Sequence, residues 1–249
     1  MLPPGFLDRP FAHRGLHGGA AVENSLSAVR AAVAAGYGIE IDIQPSADGV
    51  PMVFHDYDMG RLTGRPGPLR GLSARQLGET PLTGGAGDTV PTLAQVLEAV
   101  AGAVPLLIEI KDQDGALGPG VGPLEDAVCG ALAGYDGPVA LMSFNPHAVA
   151  ACAGAAPRIP RGLTTCAFTA EDWPTVPQAR RDALRAIPDL DRTGASFVSH
   201  DRADLTAAPL HAVRQAGLPV LCWTIRSPDR ARQARAEGAA QITFEGFRP

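Results

Sequence analysis

The 249-residue chain is 45% hydrophobic and 19% charged, the composition of a globular protein with a substantial core and the size of one large domain. Its net charge of −5 offers no attractive field to nucleic acid or an anionic membrane, so an anionic substrate has to be held by local cations. Cys129, Cys152, Cys166 and Cys222 are dispersed, with no Cys-x-x-Cys pair, which argues against a disulfide framework or a zinc site and for reduced, packed thiols.

In chain order, Met1-Leu2-Pro3-Pro4-Gly5 lacks the basic start and apolar run of a signal peptide. No stretch reaches bilayer-spanning length. A cytoplasmic protein without stable membrane association is expected. Residues 10–13 read as a first strand running into a Gly-rich turn, and Asn24 or Ser25 caps a helix over 26–36. A second strand covers 37–43, and 50–54 is a further short strand that delivers His55. Residues 57–90 are rich in Gly, Pro and Thr, with helical content only near 73–77, and read as an excursion on the main fold. Thr92 caps a helix over 93–100, followed by a strand over 105–111 and a Gly-rich loop.

From there helix and strand patterns alternate. Helices are expected near 124–132, 146–151, 178–187, 205–216 and 228–237. Strands are expected at 139–143, 161–164, 196–199, 219–225 and 241–244. Residues 166–192 carry the weakest pattern. About eight βα units in a chain of this length predict an α/β fold, a single (β/α)8 TIM barrel spanning 1–249. An open doubly wound sheet is the alternative, but no G-x-G-x-x-G follows the first strand.

Ile39-Glu40-Ile41-Asp42-Ile43 stands out within this frame. Strand alternation puts Glu40 and Asp42 on one face and the three isoleucines on the other. Two carboxylates on an apolar strand are costly to bury unless a cation holds them, and a hard divalent ion is the simplest one. Glu109 and Lys111 repeat the pattern on a second strand. His13, Glu40, Asp42, His55, Glu109, Lys111 and Ser143 all fall near predicted strand C-termini, where barrel active sites lie. Arg14 and Lys111 are the local cations that could hold an anionic substrate at this rim. Histidines titrating near neutrality can move the protons.

These residues resemble the glycerophosphodiester phosphodiesterase family. The likeness runs through His13-Arg14-Gly15, Glu23-Asn24-Ser25, Glu40-x-Asp42, Asp48-Gly49 and His55-Asp56. It continues in Arg61-Leu62-Thr63, Pro91-Thr92-Leu93, Glu109-Ile110-Lys111 and Trp223-Thr224. The resemblance implies a (β/α)8 barrel that hydrolyses small-molecule glycerophosphodiesters to glycerol 3-phosphate and an alcohol. It implies His13 and His55 as the acid/base pair, and Glu40, Asp42 and Glu109 as ligands of one divalent cation, Mg²⁺ or Ca²⁺. Trp223 is either barrel filling or a wall for the substrate.

The chain departs from the family near its end. Arg226 stands where Asn is usual, and Thr243 is followed by Phe244, Glu245 and Gly246 rather than Asp and a nearby Pro. Arg226 reads as a solvated residue or a phosphate contact. His17, His147, His200 and His211 read as surface or structural, and the Arg-rich helix around Arg232 as a solvated face. Rival functions are a lysophospholipid- or sphingolipid-cleaving enzyme of phospholipase D type on the same barrel, and a silent phosphate-ester binding module.

Overall fold

The computed structural model describes residues 1–85 and 87–249; Ala86, inside the expected 57–90 excursion, lies outside the described residues. The strands are β1 (Phe11–Ala12), β2 (Gly38–Pro45), β3 (Pro51–Val53), β4 (Leu106–Ile110), β5 (Val139–Ser143), β6 (Arg161–Thr165), β7 (Phe197–Asp201), β8 (Val220–Ile225) and β9 (Gln241–Phe244). All but β3 pair in parallel in the order β1-β9-β8-β7-β6-β5-β4-β2, and a β1–β2 pairing closes the ring into an α/β TIM barrel. β3 runs antiparallel to β2 and so is no stave of the barrel. It is a hairpin return that carries residues 54–56 back over the mouth.

Local chemistry explains the elements. Ser25 Oγ accepts from Ala28 N to start the helix Leu26–Ala35, and Gly36 ends it at φ 72°, a conformation open to glycine. Thr92 and Gln95 form a reciprocal capping box on the helix Leu93–Val100. Its buried Leu93, Val96, Leu97 and Val100 join Ile39, Ile41 and Ile43 in the layer between sheet and helices. The opposite strand faces fill the barrel. Phe6 from the N-terminal segment packs there with Phe11, Leu107, Phe197 and Leu221, closing the lower end with apolar side chains. Gly38 and Gly162 make room, since a Cβ on them would lie 2.8 Å and 2.5 Å from the rings of Phe11 and Phe197.

Residues 57–90 wrap a separate apolar cluster of Met52, Phe54, Met59, Leu62, Leu69, Leu77, Leu82 and Val90. The weak-pattern region resolves into a loop, the helix Gln178–Arg185 and the short helix Leu190–Thr193. Its Phe168, Val176 and Leu184 pack on Leu117. The helix expected over 205–216 starts later, as Ala208–Gln215, after a 3-10 turn at Arg202–Asp204. Among the described residues no helix is long and apolar enough to cross a membrane.

Candidate active site at the barrel mouth

The polar end of the barrel begins one layer above the apolar plug. Glu40 and Asp42 point inward from β2, and the β2–β4 register sets Asp42 beside Glu109. The three carboxylates are 2%, 2% and 7% exposed. One oxygen from each lies within 4.8 Å of the others. Two side-chain cations face them. Lys111 Nζ is 2.9 Å from Glu109 Oε1 and 3.5 Å from Asp42 Oδ1. Arg14 Nε stands 3.3 Å from Asp42 Oδ2, without hydrogen-bond alignment. Asn24 Nδ2 donates to the same oxygen at 3.0 Å.

This uneven sharing splits the carboxylates. Burial pushes Asp42 up, but Lys111, His55, Arg14 and the Asn24 hydrogen bond together hold it well below the usual range. Glu40 receives one backbone donor, Arg14 N at 3.0 Å. Burial and then the charges of Asp42 and Glu109 drive it well above the usual range. Burial disfavours the Lys111 charge, yet Glu109 and Asp42 hold its pKa above normal. Three carboxylates against two cations leave Glu40 short of positive charge. Three carboxylate ligands, one of them left without a cationic partner of its own, fit a hard divalent cation that would take the place of the Glu40 proton.

Arg14 sits where it does because the turn around it is forced. Its φ is 55°, followed by Gly15 at 79° and, further on, Asn24 at 58°. A Cβ on Gly15 would meet Ala28 at 2.9 Å. Left-handed backbone at a non-glycine residue persists when neighbours over-determine it. Here Asn24 N donates to Arg14 O at 2.8 Å and Gly15 N to Glu40 O at 3.1 Å.

The two histidines are held alike. His55 Nδ1 is 2.7 Å from Asp56 Oδ1, and Arg61 Nε donates to Asp56 Oδ2 at 2.5 Å. Arg61 also grips Glu23, which takes Arg14 Nη1 at 2.7 Å. Burial lowers the His55 pKa, with Lys111 and Arg14 adding to it against the pull of Asp42. Gln44 Nε2 donates toward the carbonyls of Phe54, His55 and Asp56 at 3.1, 2.9 and 2.7 Å, fixing the loop that carries His55. His13 Nδ1 lies 2.6 Å from Glu245 Oε2, and its Nε2 is 4.0 Å from Glu40 Oε2. Arg226 Nε donates to Glu245 Oε1 at 2.6 Å.

His55, Glu109 and Lys111 open onto a cleft of about 740 Å³, also lined by Tyr57, Phe144 and Trp173. Trp223 points to the same end, its indole Nε1 on Ser199 O at 3.1 Å and its ring edge-on to Phe144 at 5.6 Å. The barrel thus gathers His13, Arg14, Glu40, Asp42, His55, Glu109, Lys111 and Trp223 around one mouth.

The remaining histidines divide. His200 is buried between Thr165 Oγ1 at 2.7 Å and Asp204 Oδ1 at 2.8 Å, a satisfied structural role. His17 Nε2 lies 3.9 Å from Glu245 Oε2, at the edge of the site. Gln44 is not among the candidates named from the sequence, although its parity with Glu40 and Asp42 on β2 turns it inward as well. Arg226 is exposed, and its guanidinium pairs with Glu245.

Residues 13–244 match the glycerophosphoryl diester phosphodiesterase family. YhdW of Bacillus subtilis (strain 168) is 26% identical over 244 residues, covering 94% of this chain and 93% of its own. A glycerophosphodiester phosphodiesterase of Caldanaerobacter subterraneus subsp. tengcongensis is 30% identical over 162 residues, 61% of this chain and 64% of the relative. Among solved structures, an Oleispira antarctica phosphodiesterase in complex with the product sn-glycerol-3-phosphate superposes with a TM-score of 0.77 at 25% identity, covering 98% of this chain and 93% of the other.

Proposed function

The chain belongs to the glycerophosphoryl diester phosphodiesterase family, and on that premise we propose that it hydrolyses glycerophosphodiesters to sn-glycerol 3-phosphate and an alcohol. The observation that carries this is the arrangement of two histidines, each tied through Nδ1 to a carboxylate, around a buried cluster of three further carboxylates. Binding alone needs no such pair, which disfavours a silent binding module.

Glu40, Asp42 and Glu109 would hold one divalent cation, Mg²⁺ or Ca²⁺. Such an ion, when bound, offsets charge that develops on nonbridging phosphate oxygens. The chain's own residues do the rest. Arg14 and Lys111 add fixed positive charge beside the phosphate position. A hydroxyl, from water or from the substrate's glycerol, forms a new phosphorus–oxygen bond as the bond to the alcohol breaks. One imidazole takes the proton of the attacking hydroxyl, and the other supplies one to the departing alkoxide. If the glycerol 2-hydroxyl attacks, a cyclic phosphate forms first, and water opens it with the same pair exchanging roles.

The test is glycerol 3-phosphate release from a panel of glycerophosphodiesters, with EDTA and then with Mg²⁺ or Ca²⁺ restored. Metal-restored release is expected. His13→Ala and His55→Ala should each lower turnover by about 100-fold or more while the fold persists. Wild-type turnover in either variant would remove the assignment of that residue. Leu117, Phe144, Trp173 and Val176 along the cleft support a second reading, phospholipase D-type cleavage of a lysophospholipid or sphingolipid, whose acyl chain stays on the phosphate-bearing product. Turnover of lysophosphatidylcholine well above that of glycerophosphocholine would favour it. A reducing, cytoplasmic setting suits the four free thiols.

A further inference from the structure

Arg226 and Glu245 occupy the two places where this chain breaks the pattern it otherwise resembles, and the barrel sets them in a row with His13. Ile225 pairs with Phe244 across β8 and β9, and Ala12 pairs with Phe244 across β1 and β9. Each of the three residues therefore stands one position beyond a register pair on adjacent staves. The backbone stitches the row: Glu245 N donates to Ile225 O at 3.0 Å and His13 N to Phe244 O at 2.9 Å.

Resting on the phosphodiesterase reading above, we propose that Glu245, locked by Arg226, is the positioning residue of His13. Its Oε2 lies 2.6 Å from His13 Nδ1, where a carboxylate accepts from an Nδ1–H and so favours the tautomer whose Nε2, 4.0 Å from Glu40, keeps its lone pair. Its Oε1 is held at 2.6 Å by Arg226 Nε. A carboxylate that orients an imidazole and selects its tautomer is the third member that an acid/base histidine requires.

The site contains an internal control. His55 is held the same way, by Asp56 and then Arg61, with distances of 2.7 and 2.5 Å. The two histidines so share one architecture of imidazole, carboxylate and guanidinium. His55 draws it from its own loop, whereas His13 draws it from two other staves. The plain rival is a surface ion pair between Arg226 and Glu245, whose side chains are 58% and 20% exposed. Such pairs contribute little to stability, so the two readings differ in what a substitution changes. His17 Nε2, at 3.9 Å from Glu245, is too distant to replace either partner.

The experiment uses the full chain and two independent readouts. The first is the His13 ring tautomer, read by long-range ¹H–¹⁵N correlation at alkaline pH, with Glu245→Ala and Arg226→Gln beside the wild type. The Nδ1–H tautomer is expected in the wild type, and its loss in Glu245→Ala. The second is turnover of the best glycerophosphodiester in the panel. Glu245→Ala should lower kcat by about 10-fold or more with KM changed less than about twofold, and Glu245→Asp should recover part of it. In a His13→Ala background, Glu245→Ala should cost nothing further. An unchanged tautomer in Glu245→Ala, or equal losses in both backgrounds, would overturn the proposal. If the wild type cleaves no diester, the functional reading fails, while the tautomer measurement still decides the role of Glu245.

Discussion

Glu40 is the residue whose surroundings contain a prediction. It is buried, faces Asp42 and Glu109, and has one backbone amide as its partner, so its carboxyl favours the protonated form well above the usual carboxylate range. Binding a divalent cation there requires the carboxylate, so uptake of the metal releases a proton. Affinity for Mg²⁺ or Ca²⁺ is accordingly expected to be weaker at pH 5.5 than at pH 8, with protons released on binding. Calorimetric titration in buffers of different ionisation enthalpy measures both. An affinity independent of pH would show that Glu40 is no part of the cation site. The sign follows from the raised pKa: as pH rises, the unliganded folded state bears a growing cost for ionising Glu40 without a partner, and the cation removes that cost.

Strands act as rulers in this fold, and their small residues set the spacing. Gly162 on β6 is the register partner of Phe197 on the neighbouring β7, whose ring leaves no room for a Cβ. Gly162→Ala should therefore destabilise by about 1–3 kcal/mol, since an overpacked core has to displace a ring or bend a strand. Urea midpoints of the variant and the wild type measure it. No change in midpoint would mean that Phe197 has an alternative rotamer and that the lower plug is loosely packed. The same ruler explains the site. Gly38, Glu40, Asp42 and Gln44 share one face of β2, and they climb from the apolar plug through the carboxylate cluster to the loop carrying His55. Alternation alone put Glu40 and Asp42 on one face in the sequence. The hairpin return of β3 was not legible, because a three-residue strand carries no periodicity that reports its direction.

At the scale of the molecule, closure joins the two ends of the chain. β1 pairs with both β2 and β9, Gln241 Nε2 donates to Leu7 O at 2.8 Å, and Tyr37 Oη to Pro249 O at 3.2 Å. We propose that the whole chain is one domain, with residues 57–90 riding on it through Met52 and Phe54. Near-UV and far-UV dichroism should then report one coincident unfolding transition. A separate early transition, with a protease-resistant remnant lacking 57–90, would divide the chain in two.

His13 and His55 as a pair came as an expectation from family resemblance, whereas the barrel and the shared face of Glu40 and Asp42 were readable from residue order, because periodicity is a local property. Caps such as Thr92 with Gln95 belong to the same class. Neither the partner of His13 nor the place of Arg226 could be read that way. Arg226, Glu245 and His13 follow directly on β8, β9 and β1, as far apart in the chain as 232 residues. What sets them within hydrogen-bonding reach is the register of three staves and the closing of a ring. Register and closure depend on every strand between them, and no short stretch of sequence contains that information.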